Sequence, residues 1–138
     1  MSLHQLLIVH PIPSMRSLMT SMLRTMGHKI EEALGEEAVL AMLDQCRADL
    51  LLVSSDSADD LDPIHLLGQV RRKYPKLPVL MFTSEPRPDR AREVMLRGAT
   101  SVLRFPMPAN QFRAVVSQAL EDVEPVRRVQ EKPNHAFL

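Results

Sequence analysis

The chain is poor in the residues that support several common chemistries. Its single cysteine, Cys46, has no internal partner for a disulfide, and its place beside an amphipathic helix predicts core packing. There are four glycines and no Gly-x-Gly-x-x-Gly, P-loop or nucleophile-elbow pattern, which excludes a phosphate-cradling loop and makes an enzyme a poor reading. Aromatic residues are 4% of the chain, the net charge is zero, and no helix-turn-helix pattern is present, so direct nucleic-acid binding by this domain is not expected. No long hydrophobic run occurs: the longest early one, Leu6 to Val9, is too short to cross a membrane and lacks the character of a secretory signal. A cytoplasmic location without membrane association is the expectation. His10 has no ligand spacing to His4, His28, His65 or His135, so no metal site is expected from histidine.

What is present suits one ordinary domain. The 138 residues are enough for a single core, and 45% hydrophobic with 25% charged residues is soluble globular usage. The zero net charge conceals an asymmetry. Residues 1–63 hold four Lys/Arg against ten Asp/Glu, whereas residues 64–138 hold thirteen against seven. Two electrostatically distinct faces follow, able to steer a partner or to pair head to tail.

Along the chain, short apolar runs alternate with helical patterns. Leu6 to Val9, closed by His10-Pro11, reads as a strand buried on both faces. Met15, Leu18, Met19, Met22, Leu23 and Met26 then share one helical face, with Pro13 near the start and Gly27 past the end. His28 to Ala33 reads as a second strand and Glu36 to Cys46 as a helix with Ala38, Ala41 and Met42 among its apolar positions. Asp49 to Ser54 repeats the first strand and opens into an acidic loop containing Asp56, Asp59, Asp60 and Asp62. Ile64, Leu66, Leu67 and Val70 mark a third helix, Pro78 to Thr83 a fourth strand, Asp89 to Arg97 a fourth helix stopped by Gly98, and Ser101 to Phe105 a fifth strand. Phe112, Val115, Val116, Ala119, Leu120 and Val123 make the last amphipathic helix. Five such units predict an α/β, doubly wound parallel sheet with helices on both faces. Residues 1–123 form the domain in this reading, and 124–138, with two prolines and no apolar period, a tail or linker stub.

In an open parallel sheet the functional crevice lies at the carboxyl ends of the strands. The residues there, and the runs LLIVHPIPSMR, GEEAVLAML, DLLLVS, DPIHLLGQVRRKYPKLPVLMFTS and RGATSVLRFP with a closing amphipathic helix, resemble the receiver domain of two-component response regulators over roughly residues 5–123. The resemblance implies a flavodoxin-like (βα)5 fold with strand order 2-1-3-4-5 and a role in phosphorelay signalling. Active members carry an acidic pair after the first strand, a phosphoacceptor Asp at the end of the third, a Thr or Ser after the fourth, and a Lys before a Pro after the fifth. The matching positions here are His10 and Pro11, Ser54, Thr83, and Phe105 before Pro106. Only the hydroxyl is retained.

Phosphoryl transfer depends on positioning and on neutralising charge around the transferred group. Pro11 offers no ligand and His10 is a poor one for Mg²⁺, so Mg²⁺ binding is expected to be weak or absent and no cofactor is expected. A serine hydroxyl at Ser54 needs an activating base that nothing nearby supplies. Phe105 replaces a cation by an apolar ring, and a plugged site is the expectation. Two readings stay open: a pseudo-receiver that acts by protein interaction or dimerisation without phosphorylation, and a phospho-switch using a shifted acceptor, Asp56. In the family, the face of the fourth helix, fifth strand and fifth helix makes homodimers or docks targets. Here Arg90, Arg97, Arg104 and Arg113 are its candidate contacts, equally readable as a solvated charged face. Val102 stands where many receivers place a switching aromatic. An output domain beyond Leu138 is a further partner under this reading.

Overall fold

The structure, a computed structural model, describes residues 4–56 and 61–131, with side chains as far as Asp122. Five strands alternate with five helices: β1 Gln5–Val9, α1 Pro13–Arg24, β2 Lys29–Glu32, α2 Glu36–Gln45, β3 Leu50–Ser54, α3 Pro63–Lys73, β4 Val79–Thr83, α4 Pro88–Leu96, β5 Ser101–Arg104 and α5 Ala109–Glu131. All neighbouring strands are parallel, in the order β2-β1-β3-β4-β5, as the family resemblance implies.

The three central strands are buried on both faces because helices cover both. Leu7, Val9, Leu51, Val53, Val79 and Met81 pack with Val39 and Leu43 of α2, Leu66, Leu67 and Val70 of α3, and Val94 of α4. The alternate residues Leu6, Ile8, Leu50, Leu52, Leu80 and Phe82 pack with Met19 and Leu23 of α1 and Phe112, Val116, Ala119 and Leu120 of α5. Each such side chain contributes about 1.5–3 kcal/mol of burial, so strand direction and register are strongly set. The register aligns Val9 with Val53 and Ser54 with Phe82, and it brings the polar ends of β1, β3 and β4 to one edge.

Helix starts follow from proline and side-chain capping. Pro13, Pro63 and Pro88 occupy the first turns of α1, α3 and α4, where the missing N–H costs nothing. Asp62 caps α3, its Oδ1 accepting from Ile64 N at 3.1 Å and His65 N at 3.3 Å. After α4 the chain turns through Gly98 at φ 113°. A Cβ there would meet the Arg71 side chain at 2.8 Å, and Arg71 Nε uses the open space to donate to the Gly98 carbonyl at 2.7 Å.

Four expectations are corrected. In α2, Ala38 and Met42 pack against the core as expected, beside the fully buried Val39 and Leu43, but Ala41 is exposed, because it lies on the opposite side of the helix from Val39 and Leu43. Cys46 lies outside the core: the backbone turns extended at this residue as it caps α2, leaving the side chain half-buried. Leu18 is 36% exposed at the margin of the α1 stripe. Finally, α5 continues eight residues past Val123 to Glu131. Pro125 removes one donor, but Arg127, Arg128, Gln130 and Glu131 are good helix formers. Residues 132–138 of the expected tail and Asp59 and Asp60 of the acidic loop lie outside the described residues.

At the opposite edge of the sheet, His4 and His28 stack edge to face with ring centroids 5.5 Å apart. Both ring nitrogens of His28 are enclosed without a hydrogen-bond partner. Burial, and then the neighbouring His4, hold its pKa below the ordinary 6.5 against the opposing pull of Asp49. The unfolded chain therefore takes up a proton at His28 that the folded chain refuses, and this contribution to stability is lost as pH falls from about 6.5 toward the folded value. The melting temperature is expected to drop between about pH 7.5 and 5.5, with a smaller drop in His28→Gln; equal slopes in the two proteins would refute the assignment.

Candidate functional site at the carboxyl edge of the sheet

The end of β3 and the end of β4 are tied together by one carboxylate. Asp56 Oδ1 lies 3.0 Å from the Thr83 hydroxyl, and Asp56 Oδ2 accepts from the backbone N–H of Ser84 at 3.2 Å and from the Ser84 hydroxyl at 3.0 Å. The Thr83 hydroxyl also faces the Glu85 carbonyl at 3.1 Å and accepts from the Glu85 N–H at 3.2 Å. It has one hydrogen to give, and a carboxylate is the stronger acceptor. The sheet register makes the contact possible: Ser54 pairs with Phe82, so two residues further on Asp56 stands beside the residues that follow Phe82.

The surrounding groups hold Asp56 in place. Ser54 is 1% exposed, and its hydroxyl oxygen accepts from the Asp56 N–H at 3.3 Å. Ser55 donates from its N–H and its hydroxyl to the Phe82 carbonyl, at 2.7 and 3.2 Å. Arg90, on α4, donates to the Ser55 carbonyl at 3.1 Å. Three elements, β3, β4 and α4, are thereby joined by polar contacts around one loop.

His10 is buried at the end of β1. Its Nδ1 accepts from Ile12 N at 3.1 Å, which places the proton of the neutral ring on Nε2. Burial lowers its pKa, with the Asp56 charge opposing and the Arg16 charge assisting. The His10 carbonyl accepts from Arg16 Nη1 at 2.7 Å. Arg16 Nε lies 3.5 Å from Glu32, whose other oxygen accepts from the Thr20 hydroxyl at 2.7 Å. This chain braces the β1–α1 connection against the end of β2.

Of the other residues singled out in the sequence, Pro11 is half-buried at the edge. Phe105 is 3% exposed and faces the core, with its ring 5.8 Å from Phe82 and 5.3 Å from Phe112. The expected plug therefore faces inward, because an aromatic ring gains more from two neighbouring rings than from a polar edge. Pro106 follows it, exposed. Val102 packs against the α2–α4 side of the core and lines a cavity of about 180 Å³ shared with Thr83, Ala91 and Arg104. The four arginines do not form one patch. Arg90 turns to Ser55, Arg97 pairs with Glu93 at 3.6 Å, Arg104 is exposed, and Arg113 donates to the Met22 carbonyl of α1 at 3.3 Å. Ser84 as a double donor and the Arg16–Glu32–Thr20 chain were not foreseen as site features. The only available signal was Arg16, three residues past a helix-starting proline.

A doubly wound five-stranded sheet with its polar residues at the carboxyl edge is the architecture of a signalling receiver. Residues 6–117 match the response regulator receiver domain family, and the chain belongs to that family. It is 32% identical over 114 residues to the response regulator protein FleR of Pseudomonas aeruginosa, covering 83% of this chain and 24% of that protein. It is 26% identical over 129 residues to the nitrogen assimilation regulatory protein NtrX of Azorhizobium caulinodans, covering 93% and 28%. Among solved structures, the CheY-like receiver domain protein of Methanospirillum hungatei superposes with a TM-score of 0.81 at 19% identity, over 90% of this chain and 98% of that one; this is a likeness of fold. The chain spans about a quarter of the length of these curated relatives. Among the described residues no helix is long and apolar enough to cross a membrane.

The Asp56 contact should be measurable as a coupling. Asp56→Ala and Thr83→Val, studied singly and together by urea denaturation, are expected to show an interaction energy of about 1 kcal/mol. Strict additivity would mean that the contact contributes nothing to the fold.

Proposed function

We propose that this receiver domain acts in two-component signalling as a protein-interaction module that is not phosphorylated and catalyses nothing. The observation that carries the reading is the Asp56 carboxylate, which occupies the Thr83 hydroxyl and the Ser84 N–H and hydroxyl. An anion is thus already bonded to the donors at the end of β4, and the loop before α4 has one arrangement whatever the phosphoryl donor.

The rest of the site supports this reading. Ser54, at the position of the family's acceptor, is 1% exposed, and among the described residues its hydroxyl has no base as a hydrogen-bond partner. No lysine stands before Pro106, and Phe105 is committed to the core. Mg²⁺ takes carboxylate and water oxygens in near-octahedral geometry, and the described residues fit it poorly. Pro11 has no donor atom in its side chain, His10 Nδ1 is engaged by Ile12 N, and both Asp56 oxygens are engaged by Thr83 and Ser84. Mg²⁺ binding should therefore be weak or absent, and no cofactor is required.

The output of such a domain is a surface. On α4, Met95 is 46% and Leu96 80% exposed, flanked by Arg92 and Arg97, with exposed Arg104 on neighbouring β5. An apolar centre with a rim of mixed charge, Asp89 and Glu93 beside Arg92 and Arg97, fits a protein partner, with a second copy of this chain as the alternative. Because the curated relatives are several times longer, an output domain joined in the same protein is the natural recipient in cis.

Intact mass after incubation with acetyl phosphate and Mg²⁺ tests the reading, with a conventional receiver as the control that must label. The expected result is no phosphoryl adduct on this protein. An adduct that Asp56→Asn abolishes would make Asp56, which is only half-buried, a relocated acceptor and the domain an ordinary phospho-switch.

A further inference from the structure

The strand order sorts the charges of the chain to the two margins of the sheet. One margin is β2 with the helix that follows it, α2, where residues 29–45 hold one Lys against five Asp/Glu. The other is β5 with the helix that precedes and contacts it, α4, where residues 87–104 hold five Arg against two Asp/Glu. Contacts within the fold reduce this contrast without removing it. Arg16 lies beside Glu32 and Lys73 beside Asp44, which still leaves the first margin acidic. On the second, Arg90 turns inward to Ser55 and Arg97 pairs with Glu93, while Arg87, Arg92 and Arg104 are exposed.

Each margin also carries an apolar side chain left in solvent. Leu34, between β2 and α2, is 57% exposed, and Glu32 and Glu37 to either side of it in the chain are exposed as well. Leu96, the last residue of α4, is 80% exposed and lines a shallow concavity of about 420 Å³ with Asp89, Arg92, Glu93 and Arg97. The rim of this concavity is of mixed sign; the cationic excess belongs to the margin as a whole. The two leucines stand at opposite corners of the domain. Leu34 follows the carboxyl end of β2, whereas Leu96 precedes the amino end of β5. β2 and β5 are the outermost strands of one parallel sheet, four strand spacings or about 19 Å apart. Only two copies can bring these corners together.

We propose that the domain associates head to tail, with Leu34 and the acidic margin of one copy seated in the concavity at Leu96 on the cationic margin of the next. This rests on the reading of the domain as an interaction module and makes its partner a second copy of this chain. Charge selects the pairing over its symmetric alternatives. An isologous dimer through either margin sets like charge against like, whereas the head-to-tail contact opposes an acidic surface to a basic one and covers an exposed leucine from each side. Such a contact leaves one margin free at each end, so the assembly extends and does not close as a dimer.

Sedimentation velocity of the unaltered chain over a range of concentrations reads the association. At low ionic strength the average mass is expected to climb past that of a dimer as concentration rises. It is expected to return to that of the monomer in about 1 M salt, where the screening length falls to about 3 Å. Leu34→Lys and Leu96→Glu each alter an exposed residue and leave the core intact, and each alone is expected to stay monomeric. Mixed in equal amounts, they are expected to form a dimer and nothing larger, because Leu34→Lys keeps the margin at Leu96 and Leu96→Glu keeps the margin at Leu34. An unaltered chain that stays monomeric, a mass that stops at the dimer, association unchanged in Leu34→Lys, or a mixture no heavier than its components would overturn the proposal. No phosphoryl donor enters these measurements, so a failure of head-to-tail association is distinct from a failure of the unphosphorylated reading, which intact mass decides.

Discussion

Parallel strands can share one sheet only if every connection crosses a face and every strand points the same way. The rest of this molecule depends on that constraint. It buries β1, β3 and β4 on both sides, requires a helix for each return, and delivers the residues after Val9, Ser54 and Thr83 to a single edge. Residues 27 positions apart, Asp56 and Thr83, meet there without any long excursion of the chain. The polar edge is a by-product of apolar burial: once Leu52 and Leu80 are in register within the core, Asp56 and Ser84 are neighbours.

In this edge an acidic side chain answers hydroxyl and amide donors. The Asp56 carboxylate bonds to Thr83 and Ser84 and so ties the end of β3 to the loop that leads into α4. Arg90 extends the tie from α4 back to the Ser55 carbonyl. Phe105 is turned into the aromatic cluster, and Val102 lines the cavity beside Thr83.

Much of this was legible in the residues. The runs Leu6–Val9 and Leu50–Val53, each closed by polar residues, read as strands buried on both faces, and the stripes of α1 and α5 marked their helices. Periodicity identifies a face but not its neighbour. It could not tell that Phe105 points to Phe82 and Phe112, that Arg113 reaches across to α1, or that Arg90 turns inward to Ser55. For α2, Ala38 and Met42 joined the core beside Val39 and Leu43, and only Ala41 fell on the solvent side. Asp56 was visible in the acidic loop as a shifted acceptor. Its partners were not, because Ser84 is polar in a stretch where any loop residue would be.

The most direct test is the backbone amide resonance of Ser84, whose N–H donates to Asp56. Its ¹H–¹⁵N shift can be followed with and without acetyl phosphate and Mg²⁺, and in Asp56→Asn. If Asp56 is the resident anion, the resonance is the same with and without the phosphoryl donor and moves when the carboxylate is replaced. A donor-dependent shift of Ser84 in the unaltered chain, absent in Asp56→Asn, would contradict the account and show a site that still takes phosphate.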